Sequence, residues 1–332
     1  VRIAVIGAGA IGGTIAALLD RQGHDVEVTA RGDHLEAIQA CGIQLSGGWG
    51  EHIALVAAAG KLSVKPDLAF LCTKAQDAAV AITSNRHLLG GVRFVVVQNG
   101  LDGLDTAASL LPDSECMGAL ALYAANYTEP GRIKVTATGP TYFGAGTSEP
   151  SKAVRETALM VDSAMPSIAT GNFVGCQWSK LIVNQVNAAP AITGLSVQEC
   201  VADSRVRRLM TASMREAVRI GFASGVRYGE VQGLSNSLLR TFARAPLALG
   251  EALPRLMARR MGSTPNLGST LQSLKRGQRT EIDYLNGAVV AAAAQIGRSA
   301  PVNATLVNLV HEVERTGAFV SPAALGAMFH AF

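Results

Sequence analysis

A chain of 332 residues, 48% hydrophobic and 16% charged, is about twice the usual size of one domain, with enough apolar material for two cores. Its net charge of +4 is far from the dense basic surface of a nucleic-acid-binding protein, so no nucleic-acid partner is expected. No apolar run reaches the ~18–20 residues that cross a bilayer, and the five scattered cysteines form no CxxC pair, so neither a membrane span, a zinc site nor a disulfide framework is expected.

Residues 2–6 (RIAVI) form a short apolar run that breaks into glycines and resumes as the helical AIGGTIAALLDRQG. DVEVTAR, DLAFLCTKA and RFVVVQNG follow, each β-rich with a polar or turn residue at its end, separated by segments such as DHLEAIQACG that can hold helices. This rhythm predicts an α/β domain of parallel strands with helical crossovers. Residues 40–60 and 131–146 alternate apolar and polar residues and read as antiparallel additions. From about residue 177 the pattern turns helical. WSKLIVNQVNAAPAITG, SRVRRLMTASMREAVRIGFASG and EIDYLNGAVVAAAAQIG all have helical spacing with glycine stops. The expected division is therefore 1–170 and 171–332. The Arg-rich stretch 238–262 reads as a helix that is either an exposed face or a homodimer contact. With no signal-peptide pattern and unpaired cysteines, the expected compartment is the cytoplasm.

Gly7, Ala8, Gly9, Ala10, Ile11 and Gly12 form a G-x-G-x-x-G turn between a strand and a helix. In that context the first glycine allows the tight turn, the second lets a pyrophosphate approach the backbone, and the third packs helix on strand. The second strand decides which dinucleotide fits. An NAD site wants a carboxylate there for the ribose 2′-hydroxyl, but this strand ends Thr29, Ala30, Arg31. Arg31 can pair with a 2′-phosphate, so NADP(H) is the expected cofactor, unless Arg31 is a solvated turn residue. Asp33 is read as a helix N-cap before Leu35.

Hydride reduction of a carbonyl needs a proton donor beside the developing alkoxide. The six histidines belong to no polar cluster in the middle of the chain. Lys180 does. On one helix, Lys180, Asn184 and Asn187 fall at i, i+4 and i+7, a polar stripe within an apolar stretch, or else an ordinary exposed face.

At this point the sequence resembles the ketopantoate reductase (2-dehydropantoate 2-reductase) family over essentially its full length. The matching pieces are GAGAIGG, TARGDHLEAIQACGI, CTKAQD, VVVQNG, WSKLIVN and above all STLQSLKRGQRTEIDYLNG at 269–287. The resemblance implies an N-terminal Rossmann-type doubly wound sheet with a C-terminal all-helical domain, reducing a branched 2-oxo acid to the D-2-hydroxy acid with NADPH. It implies Lys180 as general acid, and Glu281 as the carboxylate that orients the reacting oxygen near the cofactor, the alternative for Glu281 being a helix cap. It also implies cofactor contacts at the glycine turn, Arg31, Lys74, Asn99 and Ala124, and substrate contacts at Lys180, Asn184, Asn266 and Ser269. One departure stands out. The family commonly has a second Asn eight residues after the lysine, where this chain has Ala188. Asn187 is expected to take over part of that substrate contact from a shifted position, with Ala188 leaving room for bulkier acids, or else to cap a helix that breaks early. Two other functions stay open: a D-2-hydroxy acid dehydrogenase for another branched or aromatic 2-oxo acid, and a non-catalytic NADP sensor.

Overall fold

The computed structural model describes residues 1–262 and 264–329; His330, one of the six histidines, lies outside them. The chain divides into two compact units, Val1–Val174 and Gly175–Phe332.

The first unit contains strands β1 (Arg2–Ile6), β2 (Asp25–Thr29), β3 (Ile43–Gly47), β4 (His52–Ala54), β5 (Ala57–Ala59), β6 (Leu68–Leu71), β7 (Arg93–Val96), β8 (Glu115–Ala121), β9 (Ala124–Glu129), β10 (Arg132–Ala137), β11 (Thr141–Gly144) and β12 (Ser167–Ala169). Its helices include α1 (Ala10–Arg21), α2 (Gly32–Cys41), α3 (Ala78–Leu89), α4 (Gly103–Leu110) and α5 (Lys152–Asp162). The larger sheet runs β12-β11-β8-β7-β6-β1-β2-β5. Its six strands β5-β2-β1-β6-β7-β8 are parallel and follow the doubly wound order, which reverses between β1 and β6. Alternation along β1 explains why both faces are covered. Ile3 and Val5 join a core with α1 and α5, while Ala4 and Ile6 join one with α3 and α4.

The two alternating segments contribute antiparallel pairs, as their pattern predicts: β3 with β4, β10 with β9, and β11 with β8. They also pair in parallel where only antiparallel additions were expected. β3 lies parallel to β10 in a second sheet, β4-β3-β10-β9, and β5 joins the main sheet parallel to β2. Alternation reports which residues face the core, and that is the same for either strand direction.

The second unit is helical. It holds most of α6 (Phe173–Asn184), then α7 (Ala188–Thr193), α8 (Val197–Ala202), α9 (Ser204–Ala223), α10 (Asn236–Arg244), α11 (Leu247–Gly250), α12 (Ala252–Arg260), α13 (Gly268–Lys275), α14 (Asn286–Gln295), α15 (Pro301–Thr316) and α16 (Pro322–Met328). The Arg-rich stretch 238–262 is not one helix but parts of α10, α11 and α12. Pro246 has no backbone N–H, and the residue before it, Ala245, is held extended at ψ 151°. No helix among the described residues is long and apolar enough to cross a membrane.

Candidate active site

The glycine turn lies at the carboxyl end of β1, where the strand order reverses and open α/β sheets bind their ligands. Its first two donors are used internally. The Gly7 N–H donates to Thr29 Oγ1 at 3.0 Å and the Ala8 N–H to Thr29 O at 2.9 Å. After that the backbone opens. Helix α1 has Gly9 as its N-cap, with no side-chain cap and no acidic residue in the first turn, so its leading N–H groups and dipole face outward.

A Cβ at Gly9 would meet nothing within 4 Å, whereas one at Gly12 would sit 2.0 Å from Gly7 O and 2.7 Å from Cys72 Cβ. Open space at the second glycine and tight packing at the third are what a dinucleotide pyrophosphate requires, so these residues fit that group.

Strand β2 ends beside this loop. Arg31 is exposed, and no carboxylate pairs with it among the described residues. It occupies the N-cap position of α2 in extended conformation, φ −139° and ψ 155°. Asp33 is therefore not the cap expected from sequence. The helix begins at Gly32, two residues earlier than an Asp33 cap implies, and Asp33 sits in its first turn, where a carboxylate complements the helix dipole.

Lys74 and Asn99 follow the adjacent parallel strands β6 and β7, both half-buried. Gln98, which sequence reading passed over, joins the two loops by donating from Nε2 to Thr73 O at 2.8 Å. Ala124 is exposed at the start of β9. Its neighbour Tyr123 donates its hydroxyl to Ile11 O in the first turn of α1 at 3.3 Å.

In the second unit, Lys180 and Asn184 share one face of α6, four residues apart, and both are half-buried. Burial pulls the Lys180 ammonium down to about 8, against the opposing influence of the Glu281 carboxylate, which favours the charged form. The two groups are thus electrostatic neighbours despite a separation of about a hundred residues. Glu281 occupies the N-cap position of a 3-10 turn, Ile282–Tyr284, but its side chain makes no cap hydrogen bond, which removes the capping alternative.

Helix α6 ends at Asn184, and a second 3-10 turn, Gln185–Asn187, leads into α7. Asn187 is buried and makes no side-chain cap bond. It lies instead against the start of α13. Gly268 has φ +68°, and a Cβ there would fall 2.6 Å from Asn187 Oδ1. Asn266 Oδ1 accepts the Gly268 N–H at 2.9 Å in a turn that places exposed Ser269 in the first turn of α13. Asn187, Asn266 and Ser269 are therefore brought together. Ala188 is fully buried and lines no open space, which counts against its making room for a larger acid.

A buried polar network frames these residues and has no local sequence signal. Asn286 Nδ2 donates to Gln185 Oε1 at 2.8 Å and to Asn303 Oδ1 at 2.9 Å, and Ser213 Oγ donates to Gln185 Oε1 at 2.9 Å. Asn303 Nδ2 in turn donates to Glu216 Oε2 at 2.7 Å. Gln185 directly follows Asn184, and Asn286 closes the short turn that begins at Glu281. The Gln185–Asn286 bond thus links the segment carrying Lys180 and Asn184 to the one carrying Glu281.

Comparison with known proteins agrees with this architecture. Residues 3–148 match the model of "Ketopantoate reductase PanE/ApbA" and residues 172–314 that of "Ketopantoate reductase PanE/ApbA C terminal". A 2-dehydropantoate 2-reductase of Mesorhizobium japonicum is 30% identical over 90% of this chain and 91% of its own length. That of Pyrococcus horikoshii is 28% identical over 95% and 98%. Among solved structures, a PanE/ApbA family ketopantoate reductase from Ralstonia eutropha JMP134 superposes with a TM-score of 0.81 at 29% identity, covering 95% of this chain and 99% of that one. A D-mandelate dehydrogenase complexed with NADH and anilino(oxo)acetate has the same fold, with a TM-score of 0.78 at 19% identity over 95% of this chain and 99% of that one. This chain, a Rossmann-type sheet followed by a helical domain, belongs to the ketopantoate reductase family of oxidoreductases.

Proposed function

We propose that the chain reduces a 2-oxo acid, foremost 2-dehydropantoate to (R)-pantoate, using NADPH and with Lys180 as general acid. The observation that carries this reading is the Lys180 ammonium, brought down to about 8 by burial and kept within reach of protonation by Glu281. An acid near that value is largely charged at neutral pH yet gives up its proton readily. The relatives named 2-dehydropantoate 2-reductase support the substrate.

When bound, the reduced nicotinamide supplies the hydride that adds to C2. The chain's own residues do the rest. The backbone N–H groups from Gly9 to Gly12 hold the pyrophosphate, and Arg31 pairs with the 2′-phosphate. Lys74, Asn99 and Ala124 line the nicotinamide side. Lys180 Nζ gives its proton to the former carbonyl oxygen as C2 becomes a hydroxyl-bearing carbon, and Glu281 keeps the ammonium oriented and charged. Asn184, Asn187, Asn266 and Ser269 hold the carboxylate and hydroxyl groups of the acid.

The test is NADPH oxidation against a panel of 2-oxo acids that differ only in side chain, repeated with NADH. Ketopantoate leading the panel, with NADPH preferred, supports the proposal. A different acid in the lead makes the protein a D-2-hydroxy acid dehydrogenase on this scaffold. No turnover with any acid, while NADPH still binds, makes it a sensor.

A further inference from the structure

His34, on α2, belongs to none of the groups so far assigned to the reaction. Its ring is fixed on three sides. The Gly131 N–H donates to Nδ1 at 3.0 Å, Nε2 stands 2.6 Å from Ala8 O, and Tyr127 packs edge-on with ring centroids 4.8 Å apart. A backbone N–H can only donate, so Nδ1 is the bare acceptor and Nε2 carries the proton. Nε2–H therefore donates to the carbonyl of Ala8, inside the glycine turn.

The consequence follows from peptide geometry. In a trans peptide the C=O and N–H point in opposite directions, so fixing the Ala8 carbonyl also fixes the N–H of Gly9. The two preceding peptides are already held through their donors by Thr29. The Ala8–Gly9 peptide is held through its acceptor instead, which leaves its N–H free to face outward where a Cβ would meet only open space. Restraint matters most here, because a glycine offers little resistance to rotation of the peptide before it. A rotated peptide would present a carbonyl oxygen to an incoming phosphate.

We infer that His34 is a positioning residue of the dinucleotide site: by holding the Ala8 carbonyl, it presents the Gly9 N–H to the pyrophosphate. The inference rests on the dinucleotide reading of the glycine turn. Thr29 and His34 lie on either side of Arg31, so one short segment, 29–34, shapes the loop and also carries the candidate 2′-phosphate contact.

Two isosteric variants separate the ring's two bonds. His34→Asn keeps an acceptor for Gly131 but loses the donor to Ala8, whereas His34→Gln places an amide N–H near the Nε2 position. NADPH and 2′-AMP, which has the 2′-phosphate but no pyrophosphate, are titrated into wild type and both variants, and melting temperatures are recorded. His34→Asn is expected to weaken NADPH by about tenfold with 2′-AMP affinity and melting temperature unchanged, and His34→Gln to recover most of the loss. Undiminished NADPH affinity in His34→Asn overturns the inference. So does a parallel loss of both ligands with a lowered melting temperature, which would make His34 a fold residue. A wild type that fails to bind NADPH at all brings down the dinucleotide reading itself, and the inference with it.

Discussion

At Gly9 in the first unit a Cβ would meet nothing within 4 Å, whereas in the second unit Lys180 is held where burial pulls its ammonium down to about 8. One candidate site is made of backbone and missing side chains, the other of polar side chains kept partly out of water. The first takes its electrostatics from a helix end and needs little support beyond Thr29 and His34. The second must hold a desolvated cation, a carboxylate and several amides in register. It does so with a buried network anchored on Glu216 of α9, which accepts the N–H groups of Asn303 at the start of α15. The comparison implies that damage to the first unit's site should appear in cofactor affinity, and damage to the second in turnover or substrate KM.

The largest effect should come from the second unit. Lys180→Ala is expected to lower kcat by ~10²–10⁴, the scale of a lost general acid, with NADPH affinity retained. The wild-type rate of reduction should be full below about pH 8 and decline as the pH rises through it, because the neutral amine has no proton to give. Stopped-flow and steady-state profiles check both. A near-normal kcat in the variant, or a rate that climbs above pH 8, would move the proton donor elsewhere.

The first unit's counterpart is Arg31→Asp. Exchanging a cation for an anion opposite the 2′-phosphate removes a charged hydrogen bond worth about 1.5–3 kcal/mol, roughly a 10- to 150-fold loss for NADPH with much less change for NADH. Equal binding of NADH and NADPH by the wild type would contradict the assignment before any variant is made.

The glycines sharpen the contrast further. Gly12→Ala drives a Cβ to 2.0 Å from Gly7 O, an overpacking expected to cost about 1–3 kcal/mol of stability as well as affinity. Gly9→Ala, at φ −64° and in open space, should leave the melting temperature alone and lose affinity only because the methyl group occupies the phosphate's place. A Gly9→Ala protein that binds NADPH normally would mean that the space serves no ligand.

What could be read from sequence follows the same division. The glycine turn, the strand before it and Arg31 are contiguous, and so is the Lys180–Asn184 face, so spacing alone exposes them. Contacts across the chain leave no such mark. Gln185 and Asn286 are 101 residues apart, and β3 pairs with β10 across a similar distance, with nothing local in either partner to announce the other. His34 belongs here too, because its partners Ala8 and Gly131 lie 26 and 97 residues away. The break of 238–262 into three helices is different. Pro246 marks it within the sequence itself, because a proline cannot continue the helix and holds the residue before it extended.

The smallest predicted effect concerns Asn187, where helix geometry decides what a one-residue change in spacing does. In an uninterrupted α-helix Asn187 would lie about 20° from the Lys180 meridian, on the side away from Asn184. The 3-10 turn over Gln185–Asn187 advances about 120° and ~2.0 Å per residue instead, so Asn187 falls in line with Asn184, about 40° from Lys180. Four α-helical steps and three 3-10 steps rise ~12 Å, the same as the eight α-helical steps to the family's second Asn, whose meridian lies about 80° round. The tighter turn thus makes up in height for the missing residue and recovers part of the rotation. This favours Asn187, rather than buried Ala188, as the residue that meets the acid. Asn187→Ala is accordingly expected to raise KM for the preferred 2-oxo acid about tenfold, the ~1–2 kcal/mol of a lost buried hydrogen bond, with kcat and NADPH affinity little changed. Because its Oδ1 also lies against Gly268, some loss of melting temperature will accompany the change. The decisive quantity is therefore KM relative to that of Asn266→Ala, which leaves Asn187 in place. If only Asn266→Ala raises KM, Asn187 supports the start of α13 and does not touch substrate.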